Sequence, residues 1–282
     1  MHSSFSARPR WWQWPTILSL DAPLVCVVWQ GLLARTSGAG LRWPHAAVLA
    51  TSVWLAYAAD RWIEGWRLDS RVVRTQRHLF YQRQRVVVAA VWLCVLAADV
   101  TMAGMTMEAK EIGRGLLLVA PVLVYLLSHQ LLHRTHEWRA PKELVVALLL
   151  TAGVAVFLWP VLSVSTLVRG LGAFATVSFI NCALISAWER EVDRAHGQTS
   201  LALESARVAR VIRWLPWLAA VGGAAVMAAP AGAFAAPIAC GIFSAILMGL
   251  IDRIEHRLGW AAARVLADAA LLTPIVPLFW AA

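Results

Sequence analysis

The sequence predicts an all-α integral membrane protein, with nine transmembrane helices around a central cavity and a cap of cytoplasmic loops. Three observations predict it. Of the 282 residues, 60% are hydrophobic and 15% are charged, where globular chains run at about 45–50% apolar and about 25% charged. The apolar residues come in runs long enough to cross a bilayer, which takes roughly 20 residues for about 30 Å of hydrocarbon. The formal net charge of +9 is supplied almost wholly by arginine, and it sits between the runs. A disordered chain would lack the apolar residues. A secreted disulfide scaffold would be shorter and richer in cysteine. A nucleic-acid-binding domain would not carry uninterrupted apolar runs, so no nucleic-acid partner is expected.

Nine segments read as spans: 15–34, 43–62, 86–104, 113–133, 143–162, 165–188, 211–229, 231–251 and 262–281. Their Leu, Ala and Val content and length favour helices over barrel strands, which show short segments of alternating polarity. The first run is longer than the apolar core of a signal peptide, and a series of spans follows it, so it reads as a span. Nine spans leave no room for a soluble domain, so 1–282 reads as one transmembrane domain.

The charges set the orientation. Arg8 and Arg10 precede the first span. Arg61 to Arg85 follow the second, Arg134, Arg139 and Lys142 the fourth, Arg190 to Arg213 the sixth, and Arg253, Arg257 and Arg264 the eighth. These hold 20 of the 25 basic residues, which places them, and the N-terminus, in the cytoplasm by the positive-inside rule. Trp11, Trp12 and Trp14 fall where an interfacial aromatic belt belongs. Cys26, Cys94, Cys182 and Cys240 all lie within spans without a CxxC pair, and they read as small packing residues.

Ionisable groups at membrane depth are costly, so acids at helix ends merit inspection. Span two ends with Asp60 and Glu64, and span six with Glu189 and Asp193. Each pair stands at i and i+4, on one helix face. The two pairs share an offset of 129 residues, as do Arg61 and Arg190, a weak internal repeat of the kind that membrane folds build from duplicated helical units. Like charges at that spacing repel. Magnesium offsets such repulsion, with one or two carboxylates, water and phosphate oxygens as ligands. Neighbouring arginines (Arg61, Arg67 and Arg71; Arg190 and Arg194) offset it equally well as ion pairs.

Other polar groups are candidates too. Arg67, Arg71, Arg74 and Arg77 form one helical stripe, suited to a diphosphate or to anionic lipid heads. His129, His133 and His136 follow Tyr125 along one face of span four and read as cavity lining or interface. Asp21, Asp99 and Asp268 lie in or near spans; pairing with backbone or arginine is the favoured reading, and Asp21 and Asp268 would be neighbours if the first and last helices close a ring. Asn181, two turns before Glu189, is expected to point into the same cavity.

These residues make the chain resemble the UbiA-type superfamily of intramembrane prenyltransferases. That family has nine transmembrane helices, a cytoplasmic N-terminus, and two aspartate-rich motifs, NDxxDxxxD after helix two and DxxDxxxD after helix six. The second motif leads into a stretch like GDRxxGxxTLxxxLG. Asp193-Arg194-Ala195-His196-Gly197-Gln198-Thr199-Ser200-Leu201 is similar to that stretch. Tyr125, Arg134 and Lys142 are similar to the family's Tyr-and-basic link between helices four and five. Both motifs are degenerate here. In the first, Ala56 and Tyr57 replace the leading Asn and Asp while Asp60 and Glu64 keep acids. In the second, Ser186 replaces the first Asp while Glu189 and Asp193 keep acids.

The resemblance implies a multi-pass protein of a bacterial-type inner membrane that acts on a prenyl diphosphate and a lipophilic acceptor, by transfer or cyclisation, among membrane lipids. It implies that Asp60, Glu64, Glu189 and Asp193 hold Mg²⁺. It makes Lys142 with Arg74 or Arg77 the diphosphate contacts, and Asn181, Tyr125 and Arg134 further contacts to the bound group. Tyr57, at a motif position, offers a π face to a carbocation. The altered motifs also suit a relative that binds an isoprenoid without turning it over. A transporter is the third reading, and it would place its acids nearer the bilayer midplane than these helix ends.

Overall fold

The computed structural model describes residues 8–68, 75–128, 141–159, 164–228 and 235–280. It is helical, with no strand among the described residues. A 3-10 turn at Trp11–Gln13 and α1 (Trp14–Ile17) lead into α2 (Asp21–Ser37) through a 77° bend. Ser19 makes that bend with a φ of 57°, and its buried hydroxyl bonds the Tyr81 hydroxyl at 3.1 Å. The segment 15–34 is therefore bent where the apolar pattern predicts one rod. Pro44 at the first turn starts α3 (Trp43–Arg67), where its missing N–H costs no helical bond. A short α4 (Gln76–Arg83) follows, capped by Thr75.

Next come α5 (Arg85–Thr106), α6 (Ala109–Leu127), α7 (Lys142–Ala155) and α8 (Val164–Trp188). The chain then turns through α9 (Arg190–Ala195), α10 (Leu201–Glu204) and α11 (Ala206–Ile212) into α12 (Leu215–Ala228), α13 (Ala235–Leu258), α14 (Trp260–Ala270) and α15 (Ile275–Trp280). Each of the nine predicted segments overlaps one of these helices. Among the described residues, four helical stretches are long and apolar enough to cross a membrane: Arg85–Thr106, Val168–Trp188, Ala235–Leu258 and Trp260–Trp280. The count rises to six if the bent pairs α1–α2 and α11–α12 each make one span.

The core lies between α2, α3, α7, α8, α13 and α14. Trp29 and Phe174 are fully buried there, their ring centroids 5.2 Å apart. The first and last helices adjoin: Trp29 Nε1 donates to the Leu271 carbonyl at 2.9 Å, and Arg35 to that of Leu278 at 3.0 Å. Apolar side chains face outward on α5 and α6, among them Val86, Leu93, Val100, Met105, Leu116 and Leu117. An exposed apolar patch of that extent is what a lipid-facing surface requires. Asp99 on α5 accepts from Thr51 and from Ser52 on α3, so this buried acid ties two helices together.

Gly65 decides how closely α4 approaches α3. A Cβ at Gly65 would stand 3.2 Å from the Gln82 nitrogen and 3.4 Å from the Tyr81 carbonyl carbon. Overpacking against backbone costs about 1–3 kcal/mol, so Gly65→Val is expected to lower the unfolding midpoint in detergent. Gly104→Val, where an added Cβ meets nothing within 4 Å, is the matched control with little expected change.

Candidate functional site

Loops that the sequence places on the cytoplasmic side meet at one end of the bundle. Three features of the local sequence bring them together. The glycine contact lays α4 on the end of α3. Thr75 caps α4, accepting the His78 backbone N–H, and this presents Arg77 and His78 from the helix's first turn. After α9, Gly197 adopts a left-handed conformation (φ 65°) that few other residues take without strain. Its N–H donates to Arg194 and that of Gln198 to Asp193, a Schellman turn. That turn sends the Gln198 side chain back to the end of α3.

Two buried carboxylates organise what results. Glu64 takes three donors. Gln198 Nε2 reaches Oε1 at 2.7 Å, and His78 Nε2 and Arg61 reach Oε2 at 2.8 and 3.0 Å. His78 Nδ1 bonds the Thr75 hydroxyl on its other side, and the Glu64 carboxylate, which only accepts, takes the hydrogen bond from Nε2–H. Burial holds the His78 pKa down, from 6.5 to about 4, against the opposing pull of Glu64. The ring is thus neutral near pH 7, and it stands edge-on to His196 at 5.0 Å.

Glu189 is the second centre. Arg77 Nη2 donates to its Oε2 at 3.0 Å. Arg264 Nη1 donates to Oε1 at 2.8 Å and to Oε2 at 2.9 Å. Lys142 lies beside the Glu64 centre, with Nζ 3.4 Å from Gln198 Oε1 and 3.9 Å from Asp193 Oδ2 on α9. Glu143, also buried, accepts the Leu201 backbone N–H at 3.1 Å and anchors α10 to α7.

Glu64, Glu189 and Asp193 meet Arg77 and Lys142 in this cluster. Asp60 lies one turn before Glu64, and its charge reaches Arg61 and Tyr125. Tyr57 stands one turn deeper on α3, within electrostatic reach of Asp21 and Arg61. Asn181 Nδ2 donates to Asp268 Oδ1 at 3.2 Å, and Asp268 lies within electrostatic reach of Arg77. Arg74, Arg134 and the three histidines after Tyr125 lie outside the described residues. Reasoning from spacing missed His78, Gln198 and Arg264 as members. Arg264, a lone cation at the start of an apolar helix, is the one that carried a signal.

The helix breaks at Glu189, between α8 and α9, although Asp193 N–H still bonds the Glu189 carbonyl at 2.8 Å. The ion pairs also differ from those that sequence neighbours suggest. Arg61 does pair with Glu64, but Glu189 draws its partners from α4 and α14 rather than from Arg190 or Arg194.

Magnesium needs carboxylate oxygens with lone pairs to give. Oε2 of Glu64 and Oε2 of Glu189 each accept from two side-chain donors, and Oε1 of each accepts from one, so a metal ion at either acid would share the carboxylate with the protein's own cations. No group of three or more His, Cys, Asp or Glu side chains among the described residues converges as a metal site.

No family model matches the sequence, and no curated protein matches it. The structure does match the apo structure of a UbiA homolog from Aeropyrum pernix K1, at 14% sequence identity over 93% of this chain and 98% of that one, with a TM-score of 0.59. At that identity the likeness is one of fold, and this all-α membrane protein has the fold of that UbiA homolog.

Proposed function

We propose that the protein is a UbiA-like membrane enzyme acting on a prenyl diphosphate, with the diphosphate bound at the polar end and the isoprenoid chain in the apolar bundle. The observation that carries the reading is the convergence of Arg61, Arg77, Lys142 and Arg264 on buried acids at the end of α3, at the α8–α9 break and in α9, in a bundle with the UbiA fold. The positive-inside rule puts this end on the cytoplasmic side.

Breaking the allylic C–O bond leaves a carbocation and a diphosphate. The guanidiniums of Arg77 and Arg264 and the ammonium of Lys142 are placed to stabilise the charge that develops on the departing oxygens, which is where fixed charge accelerates such a step. The Tyr57 ring, a turn deeper on α3, supplies a π face for the cation. The cation is then quenched by a lipophilic acceptor or by its own chain. The pairing of Glu64 and Glu189 with the protein's own cations also favours a second reading, a relative that binds the prenyl diphosphate and leaves it intact. A transporter fits less well, because Glu64 and Glu189 stand at helix ends.

The test is incubation of the purified chain with labelled farnesyl or geranylgeranyl diphosphate, with Mg²⁺ and with a chelator. Release of diphosphate, lost in Lys142→Ala, is the expected result. Binding without release selects the second reading. Neither binding nor release, across donors of several chain lengths, sinks both.

A further inference from the structure

We infer that the Glu189 centre recognises its phosphoryl group through arginine alone, without a divalent cation; this rests on the prenyl diphosphate reading above. The positions that resemble metal ligands have been taken over by the protein's own cations. Glu189 is 3% exposed and shared by two guanidiniums, each within 3.0 Å of it. Two guanidiniums share this one carboxylate, with Asp193 one turn on and Asp268 within electrostatic reach of Arg77. A divalent ion on the remaining lone pair of Glu189 would lie beside both guanidiniums, and moving either one aside would leave it buried without its partner, the costly outcome for an ion pair.

The donors that remain point to an anion. A guanidinium carries five N–H groups and no acceptor. Arg77 is 8% exposed and spends Nη2 on Glu189, while its Nε and Nη1 are buried and find no acceptor among the described residues. Arg264 spends Nη1, and its Nε is in the same condition, as is Nε of Arg190, the residue after Glu189. Buried donors without acceptors are unfavourable, and a group rich in oxygen relieves several of them at once. Guanidinium edges match phosphoryl oxygens two at a time. Glu189 is then a positioning residue, which holds Arg77 and Arg264 side by side so that their free edges serve one phosphoryl group.

Isothermal titration of the full chain in detergent tests this, with inorganic pyrophosphate and farnesyl diphosphate as separate probes, in EDTA and in Mg²⁺. Binding of farnesyl diphosphate is expected to be as tight in EDTA as in Mg²⁺. Arg77→Ala and Arg264→Ala are each expected to weaken it about 10- to 100-fold, the loss of one charged hydrogen-bonding partner. Arg77→Lys keeps the charge and removes the fork; it is expected to weaken binding while the unfolding midpoint stays near wild type. Pyrophosphate binding in EDTA, weaker but equally sensitive to Arg77→Lys, locates the effect in the phosphoryl group rather than the chain. Binding that appears only with Mg²⁺ overturns the inference and leaves the proposed function standing. Wild-type affinity in the arginine variants overturns it as well. Absence of farnesyl diphosphate binding in both media overturns the proposed function, and the inference with it.

Discussion

Glu189→Ala is expected to destabilise the fold by about 3–5 kcal/mol, the cost of removing one partner from a buried ion pair. The reason is the imbalance it leaves. Arg77 and Arg264 have side chains 9% and 13% exposed, so neither charge can turn to water. The loss is read as a fall in the thermal unfolding midpoint of the detergent-solubilised protein. Glu189→Gln keeps an oxygen for one guanidinium, and a smaller fall is expected. Glu191→Ala, two residues on and exposed, is expected to change little. A Glu189→Ala protein as stable as wild type would show that the two arginines do not depend on this carboxylate.

The second large effect is with pH. The folded His78 pKa, about 4, lies below its ordinary 6.5. Between those values the unfolded chain binds a proton that the native ring does not, so stability rises with pH there. Its contribution is fully present above 6.5 and is lost as pH falls from 6.5 toward 4. The gap corresponds to about 3 kcal/mol over that window. Unfolding midpoints at steps from pH 7 to pH 4 measure it. Carboxylates add their own slope at the acid end, so the informative comparison is His78→Gln, which keeps an N–H for Glu64 and cannot titrate. Its profile is expected to be flatter than wild type between pH 6.5 and 5. Parallel profiles would mean that folding leaves the His78 pKa where it is in the unfolded chain.

The fold was largely legible in the sequence because lipid imposes length and apolarity on every helix. The segment 86–104 sits inside α5 (Arg85–Thr106), and 165–188 ends with α8 at Trp188. Breaks within helices were less legible. Ser19 bends the first segment through a left-handed residue held by Tyr81, a contact between residues far apart in sequence. The last segment breaks between α14 and α15, where Thr273 bonds the Cys240 carbonyl. For the site, i, i+4 spacing marked the acids, since spacing fixes which helix face a residue occupies. It did not mark their partners. Arg264 meets Glu189 from another helix, and Gln198 meets Glu64 through a turn that depends on Gly197. Partner choice is a tertiary property. Hence Asn181, expected to share a cavity with Glu189, bonds Asp268, which lies within electrostatic reach of Arg77.

The tie between the first and last helices bears on how the protein is made. Chains emerge N-terminus first, at roughly 5–20 residues per second. Arg77 and Glu189 are therefore synthesised and inserted before Arg264 exists. Until α14 enters the membrane, Trp29 lacks the Leu271 carbonyl and Glu189 has one guanidinium instead of two. A nascent chain stalled before that point lacks both contacts, so the tie between the first and last helices and the second ion pair of Glu189 are completed together.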